Sequence, residues 1–314
     1  MRVVAVVVAF NRQELLVAAL DGLAAQTRPP DAVLVVDNAS TDQSAELATA
    51  HPIGAEVLCL PRNTGGAGGF AAGLAHAIVT MKAQTVWLMD DDTVPTPTAL
   101  AELVAAWQAY PGKLSLASSR VVWTDGRNHP MNTQRARLRP GMAHRAAAAQ
   151  VGATPVRTGS FVAMLVAADA VKRSGLPKAD YFIWNDDFEY SARLLRTGEG
   201  ILVPASLVEH HTARFAGALD NPGDRFFYEV RNKAWTFAWA GVFGPADFAA
   251  YATFTLYGWA RLLFRAKDRR KLARLAGRGL RAGLRRPPRP TRMVLAGLGP
   301  VSQEVTEVEM GVRR

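Results

Sequence analysis

The amino-acid sequence predicts a doubly wound α/β fold with a mostly parallel sheet. Two observations support this prediction. Apolar, β-branched strand patterns alternate four times with helical patterns up to Ala109, and polar side chains follow each of the four strands. Strands buried on both faces of a parallel sheet are continuous apolar runs, and ligands bind beyond the carboxyl ends of such strands. We therefore expect a binding site at that edge of the sheet.

The first part of the chain supplies the repeated strand–helix units. The expected strands are Val3–Ala9, Val33–Val36, Ala55–Leu60 and Val86–Met89, and the expected helices are Gln13–Ala25, Thr41–Ala50, Gly69–Met81 and Thr98–Ala109. Ser40 or Thr41 is the expected cap of the second helix, because a hydroxyl can accept from the first free N–H groups. The valine-rich opening run favours a buried strand over a signal peptide.

The pattern changes after the fourth unit. Strands are expected at Leu114–Trp123, Phe161–Ala167 and Ile201–Val208, with a loop-rich basic stretch over 124–156. A short helix is expected at Ala168–Gly175, and a helix with an acidic start within Ile183–Arg196. Residues 225–264 are expected to be helical, followed by a basic helix at Trp259–Leu284 and no periodicity beyond Pro287. These patterns divide the chain into a catalytic domain, 1–240, and a helical basic extension, 241–314.

Charge and cysteine content limit the possible partners. The 314 residues carry 37 Lys and Arg against 27 Asp and Glu, a net charge of +10, and most of the excess lies within residues 261–292. A basic amphipathic helix is typical of a membrane-surface element. Nucleic-acid binding is disfavoured because no nucleic-acid motif is present. The single cysteine, Cys59, excludes an internal disulfide and a cysteine-based zinc site.

Three acidic residues, Asp90, Asp91 and Asp92, directly follow the fourth strand. Carboxylates at a strand end can share one hard divalent cation, which would neutralise the diphosphate of a leaving group. A solvated acidic turn is the alternative.

A glycine run, Gly65–Gly69, follows the third strand. Glycines allow close approach of the backbone to a phosphate or sugar, and a tight structural turn is the alternative.

Further candidates lie in the second half of the chain. The segment Trp184–Tyr190 places acids at a helix start, where one carboxylate could act as a general base, although the helix dipole alone favours acids there. His210 follows the last strand and could complete a metal site or contact a diphosphate. Arg231 is a candidate diphosphate clamp, or else a partner in a surface salt bridge.

Taken together in this order, the motifs resemble those of the family 2 glycosyltransferases, whose catalytic domain has the A-type fold. The resemblance covers residues 3–235, and the matching stretches are Val7–Arg12, Val35–Asp42, Asn63–Phe70, Asp90–Asp92, Trp184–Tyr190 and His210. It implies a nucleotide-sugar site that includes Phe10, Arg12, Asp37, Asn63, Gly65, Gly66, Asp90, Asp91, Trp184 and Arg231.

The resemblance also implies individual roles. Asp37 would contact the nucleobase, and Asp92, with Asp90 and His210, would hold Mn²⁺ or Mg²⁺. Asp186 or Asp187 would be the base, and we favour Asp186. The glycine run and the Trp-x-Asp-Asp context look similar to galactofuranosyltransferases of mycobacterial-type galactan synthesis, which use UDP-galactofuranose and a polyprenyl-diphosphate-linked acceptor. Those enzymes have Trp-Asp-Asp, whereas Asn185 is inserted here, so the position of the base is ambiguous by one residue.

The expected activity is therefore inverting, metal-dependent glycosyl transfer in cell-wall synthesis. It is expected at the inner face of the plasma membrane, where the basic segment binds the membrane surface. Rhamnosyltransferases that use dTDP-rhamnose share most of these motifs and are the alternative. A nucleotidyltransferase would carry a basic glycine-rich loop after the first strand, where Phe10-Asn11-Arg12 stands instead. A non-catalytic binding protein is disfavoured by the acid clusters at the strand ends.

Overall fold

A computed structural model describes residues 1–132, 134–217, 219–220 and 222–311. In chain order the elements are β1 (Val3–Ala9), α1 (Gln13–Ala24), β2 (Ala32–Asp37), α2 (Ser44–Ala50), β3 (Glu56–Cys59), α3 (Gly65–Val79), β4 (Thr85–Asp90), β5 (Thr93–Pro95), α4 (Ala99–Ala109), β6 (Leu114–Val122), β7 (Arg135–Ala136), α5 (Met142–Gln150), β8 (Thr154–Thr158), β9 (Met164–Ala167), α6 (Ala168–Ser174), α7 (Asp186–Leu194), β10 (Glu199–His210), α8 (Phe226–Ala238), α9 (Pro245–Arg265), α10 (Arg269–Arg285), α11 (Thr291–Val294) and α12 (Val301–Gly311).

The strands form one sheet in the order β3-β2-β1-β4-β9-β6-β10-β8-β7, and β5 pairs with β10. The predicted parallel units are present, because β1 pairs in parallel with β2 and β4, and β2 pairs in parallel with β3. β9 lies antiparallel between β4 and β6. Apolar side chains from the two faces form two large buried clusters. The predicted mixed, largely parallel α/β architecture is therefore confirmed.

The glycine run lies inside α3, and the expected helix start at Gly69 was wrong. A Cβ atom at Gly69 would lie 2.6 Å from Val8 Cγ1, and one at Gly73 would lie 2.6 Å from Val6 Cγ1. These glycines therefore let α3 pack directly on β1. The first helical residue, Gly65, has a φ of +71°, which a residue with a side chain adopts only with strain.

Two other expectations about secondary structure differ from what is observed. α2 begins at Ser44, because the Thr41 amide is bonded to Asn11 Oδ1 instead of starting the helix. The stretch predicted as loop contains α5, which packs Ala148 into the core. α7, by contrast, lies within the predicted range and has the predicted acidic start; it begins at Asp186 because the preceding residues have left-handed backbone angles that a helix cannot contain.

The basic region forms two helices and not one. α9 ends at Arg265, and Asp268 caps α10 by accepting from the Lys271 amide at 2.9 Å. α10 packs closely on α8, since a Cβ at Gly279 would lie 2.7 Å from the Phe227 carbonyl oxygen and one at Gly283 would lie 2.7 Å from that of Arg231. Across the described part of the chain, no helix is both long enough and apolar enough to cross a membrane.

The segment beyond Pro287 is helical, contrary to the expectation from its lack of periodicity. α12 packs on α3 and buries Val301, Val305 and Val308 in one of the two large clusters. His76 of α3 lies 3.0 Å from Glu304 of α12. The division of the chain at residue 240 stays a prediction, but α12 belongs to the helical layer that covers the sheet.

Candidate active site

A cavity of about 740 Å³ opens beyond the carboxyl ends of β1 and β4, where the fold class predicts a ligand site. We call it the acidic cavity. Twelve of the fourteen predicted site residues line it: Phe10, Arg12, Asn63, Gly65, Gly66, Asp90, Asp91, Asp92, Trp184, Asp186, Asp187 and His210. Motifs that are far apart in the sequence thus meet at one edge of the sheet.

Asp37 and Arg231 do not line the acidic cavity. Both carboxylate oxygens of Asp37 accept from the Ser40 amide, at 3.2 and 3.3 Å, and its role at a nucleobase stays a prediction. Arg231 lies on the other side of α8, where its guanidinium donates to the carbonyl oxygens of Asp180 and Tyr181. The structure therefore does not support Arg231 as a diphosphate clamp in this cavity.

The three aspartates of the acidic cavity are held by neighbouring backbone and by Arg12. Pairing of β1 with β4 brings Phe10 beside Asp91, whose Oδ2 accepts from the Phe10 amide at 2.9 Å. The Arg12 guanidinium donates to Asp91 at 3.3 Å and to Asp92. Arg12 therefore balances part of the negative charge that this strand end concentrates.

The protonation of these carboxyls follows from burial and charge. Burial raises the pKa of Asp90, and the neighbouring Asp92 and Asp91 add to that shift. Burial also raises the pKa of Asp91 to about 6, although the Phe10 amide and Arg12 oppose it. Burial acts in the same direction on Asp92, but His210 and Arg12 prevail and lower its pKa. Asp92 is the member of the cluster best stabilised as an anion.

His210 reaches the aspartates because β10 pairs with β5, the short strand that follows Asp92. Its Nδ1 lies 2.7 Å from Asn132 Oδ1. If Nδ1 donates there, Nε2 is left facing Asp92 Oδ1 at 3.0 Å. That contact has the distance of an ion pair but not hydrogen-bond geometry, so within the described residues the buried Asp92 Oδ1 has no hydrogen-bond donor. An unsatisfied carboxylate oxygen beside an imidazole nitrogen suits a divalent cation.

The same residues are not yet arranged as a metal site. Within the residues that the structure describes, no three His, Cys, Asp or Glu side chains are grouped so that they could hold an ion. The Arg12 guanidinium contacts the carboxylates instead. The donor types fit Mn²⁺ or Mg²⁺, and an incoming cation would have to displace Arg12 from Asp92.

The candidate base lies on a strained turn that enters α7. Phe182, Trp184 and Asn185 have φ values of 64°, 68° and 63°, a left-handed geometry that is costly for residues with side chains. The fully buried Asn232 stabilises this turn, because its Nδ2 donates to the carbonyl oxygens of Tyr181, Ile183 and Trp184 at 2.7 to 3.0 Å. Asn232 of α8 thus positions the start of α7.

The two adjacent aspartates of α7 differ in their contacts. Asp187 Oδ1 accepts from the Phe188 amide at 2.6 Å, and Ser160 and Lys233 also help to stabilise its anion. Asp186 is buried, and among the described residues no side chain hydrogen-bonds to its carboxylate. Burial and the neighbouring Asp187 raise its pKa. Burial raises the pKa of Asp187 as well, but Ser160, the Phe188 amide and Lys233 oppose that shift. The carboxylate with fewer groups that stabilise its anion is the better proton acceptor, which favours Asp186 over Asp187.

Several lining residues were missed by the sequence analysis. Asn38 holds the glycine turn, since its amide donates to the Gly65 carbonyl oxygen and accepts from the Thr64 amide. Glu229 accepts from Asn185 at 2.6 Å and from Trp259 at 3.1 Å, so it links α9 to the strained turn. The remaining lining residues that we did not predict include Asn132, Ser160, Thr212 and Arg225. No sequence motif distinguishes these residues from ordinary polar ones.

Solved structures define the class of protein. Staphylococcus aureus TarS 1–349 in complex with UDP superposes with a TM-score of 0.63 at 14% identity, covering 100% of this chain and 89% of that one. The mannosyltransferase PcManGT of Pyrobaculum calidifontis, in complex with GDP-Man and Mn²⁺, gives 0.53 at 19% identity and covers 99% and 87%. The fold is that of the A-type glycosyltransferases.

The sequence places the chain within that class. The sequence profile described as glycosyl transferase family 2 matches residues 4–171. The chain belongs to this family. Galactofuranosyltransferase GlfT1 of Mycolicibacterium smegmatis is 34% identical over 207 residues, which are 62% of this chain and 66% of that protein. GlfT1 of Mycobacterium tuberculosis is 33% identical over 270 residues, 76% of this chain and 83% of that protein.

Proposed function

We propose that this glycosyltransferase transfers galactofuranose from UDP-galactofuranose, with inversion, to a polyprenyl-diphosphate-linked glycan in cell-wall synthesis. The observation that carries the catalytic part is the convergence of Asp186, the Asp90–Asp92 cluster and His210 on one cavity. The choice of sugar rests on the similarity to the two galactofuranosyltransferases. Transfer of rhamnose from dTDP-rhamnose is the alternative.

Each part of the reaction is assigned to a group in the acidic cavity. The Asp186 carboxylate takes the proton from the acceptor hydroxyl as that oxygen attacks the anomeric carbon in a single displacement. Asp92, Asp90 and His210 would hold Mn²⁺ or Mg²⁺, which supplies positive charge for the departing diphosphate. Arg12, once released from Asp92, is placed to pair with the same phosphates.

We assign the donor groups to the walls of the cavity as follows. The backbone at Gly65 and Gly66 allows close approach of the nucleotide, and Asn63 and Phe10 line the same cavity. Trp184 offers a face on which a sugar ring can pack. Asp37 lies outside the cavity wall, so contact with a base would require the nucleotide to extend toward β2.

Membrane association is part of the same proposal. Aromatic and aliphatic side chains of α9 are exposed, namely Phe254, Leu256, Tyr257 and Phe264. Phe264 is thus free to insert into lipid, whereas the nearby Trp259, Leu262 and Leu263 are half-buried and pack against Phe226, Val230 and Leu272. The exposed set, flanked by arginines, supports binding of the enzyme to the cytoplasmic face of a membrane, where a lipid-linked acceptor is found.

The test is release of the nucleotide diphosphate from a donor panel with Mn²⁺ or Mg²⁺ and a synthetic polyprenyl-diphosphate glycan. The proposal expects UDP release from UDP-galactofuranose that depends on acceptor and metal. Turnover of dTDP-rhamnose alone would replace the sugar assignment with the alternative. Pyrophosphate release from nucleoside triphosphates and a sugar phosphate, without glycosyl transfer, would contradict the proposed reaction and indicate a nucleotidyltransferase.

A further inference from the structure

A second cavity of about 450 Å³ lies between α8 and α10, on the face of α8 that points away from the acidic cavity. We call it the arginine cavity. Phe227, Arg231 and Trp235 recur at intervals of four residues and form its α8 wall. The α10 side and the adjoining chain supply Arg278, Arg281, Ala282, Arg285 and Arg286. Five of its eight lining residues are thus arginines.

The close packing of the two helices creates this concentration of charge. Gly279 and Gly283 lie against the α8 backbone, and a Cβ at either position would clash with it. The arginines that flank these glycines on α10 therefore border the groove beside α8. Trp235 Nε1 donates to the Arg286 carbonyl oxygen at 2.8 Å and fixes the end of α10. The contact between the two helix backbones, and not the arginine side chains, therefore sets the shape of the cavity.

The positive charge of the arginine cavity is largely uncompensated. Among the described residues, no acceptor or carboxylate pairs with Arg278, Arg281 or Arg285. The nearest acid, Asp180, is bonded through both oxygens to Arg289 and lies 3.5 Å from Arg286. Repulsion between like charges this close is unfavourable, and an anion in the groove would relieve it.

The residues that line the arginine cavity indicate which kind of anion it would bind. Arginine forks match phosphate oxygens, and several of them suit a diphosphate better than a carboxylate. Phe227, Trp235 and Ala282 add an apolar surface beside them. Burial lowers the pKa of Arg231 to about 10, and this guanidinium still keeps its charge at neutral pH. Its Nη1 makes no hydrogen bond with the described residues and is available to a ligand.

We propose that the arginine cavity binds a phosphate or diphosphate group, as a site separate from the acidic cavity. Such a group can belong to a soluble diphosphate or to a diphosphate that carries an apolar chain. This proposal does not require the assigned sugar or acceptor. It needs only that the groove between α8 and α10 recognises phosphate oxygens.

The test uses the full chain in EDTA, so that the acidic cavity has no divalent cation with which to bind phosphates. Calorimetry measures binding of inorganic pyrophosphate and of geranyl diphosphate. Combined substitution Arg278→Gln, Arg281→Gln and Arg285→Gln should weaken binding by on the order of 10-fold or more. The matched control is Arg261→Gln, Arg265→Gln and Arg270→Gln, which removes the same charge outside the cavity and should change affinity by less than about twofold.

The outcomes distinguish binding in the arginine cavity from non-specific attraction by positive charge and from binding in the acidic cavity. Tighter binding of geranyl diphosphate than of pyrophosphate identifies a chain-bearing ligand, and equal affinities identify a soluble one. Equal losses in the two triple variants, or no binding of either probe, would overturn the proposal. The Arg12→Gln variant, which removes the guanidinium of the acidic cavity, should bind both probes as the parent does, and a loss there would place the site in the acidic cavity. Thermal unfolding checks that each variant is folded.

Discussion

The acidic cavity and the arginine cavity are lined by different residues of α8 and differ in how their charges are compensated. In the acidic cavity, carboxylates from three separate elements are buried and compensated by Arg12 and by backbone amides. In the arginine cavity, Arg278, Arg281 and Arg285 of α10 are exposed and pair with no acceptor or carboxylate among the described residues. Burial shifts the pKa of an ionisable group, so that the group can take part in proton transfer. An exposed charge instead attracts ions of the opposite sign and is screened by salt. The two regions should therefore respond differently to mutation, pH and salt.

The largest difference is expected for Asp186→Asn, which should lower kcat by about 10²–10⁴-fold with little change in donor affinity. An amide keeps the shape of the side chain but cannot accept the proton. The matched variant is Asp187→Asn, which removes the negative charge that the Phe188 amide and Ser160 stabilise and should act mainly through binding or stability. Steady-state kinetics with calorimetry distinguishes them, and normal turnover in both variants would move the base elsewhere.

The next effect is on metal-dependent nucleotide binding. Asp92→Ala should reduce the affinity for UDP in the presence of Mn²⁺ by roughly 10- to 100-fold, because Asp92 is the carboxylate best kept as an anion. Calorimetry with and without Mn²⁺ measures the change. Glu209→Ala, at a half-buried position on the same strand as His210, is the control, because Glu209 pairs with His211 and does not line the acidic cavity. Unchanged Mn²⁺-dependent affinity in Asp92→Ala would remove this residue from the proposed metal site.

A smaller effect concerns pH. Because burial and Asp187 raise the pKa of Asp186, its carboxylate is lost as the pH falls through a value above the ordinary aspartate range. Activity should therefore decline on the acid side earlier than for an exposed aspartate. Asp187→Asn removes one cause of the shift, so its remaining activity should extend to lower pH. A pH profile of kcat tests this, and an unshifted acid limb would contradict the assignment.

The smallest effect is expected for single arginines that face the solvent. Arg265→Gln should weaken binding to anionic vesicles by about fivefold at low salt, which corresponds to ~1 kcal/mol per basic residue near a charged surface. The difference should disappear in high salt and on neutral vesicles. Co-sedimentation measures both. Equal binding to anionic and neutral vesicles would mean that α9 and α10 do not associate with membranes through charge.

Sequence patterns predicted the acidic cavity well because its geometry follows from local rules. Continuous valine runs form buried parallel strands, and the carboxyl ends of those strands bring Phe10 and Asp90 together without further information. Arg231 was misplaced because a helical pattern does not tell which face meets which neighbour. That choice depends on the contact of α8 with Gly279 and Gly283, which lie nearly fifty residues further along the chain.

Other parts of the site could not be predicted for the same reason. Asn132 and Ser160 orient His210 and Asp187, yet they come from segments with no motif, and only tertiary packing brings them to the cavity. The break between α9 and α10 depends on one cap, Asp268, inside a stretch that otherwise has helical periodicity. The roles of such residues can be assigned only when the surrounding fold is known.

The packing of α12 on α3 has a consequence for how the molecule is made. Every strand of the sheet leaves the ribosome before Val301, Val305 and Val308 are synthesised, yet these valines cover the helix that carries the glycine turn. Contacts between segments so distant in sequence form late and slowly. The nascent enzyme therefore holds an exposed apolar strip on α3 until α12 emerges and covers it.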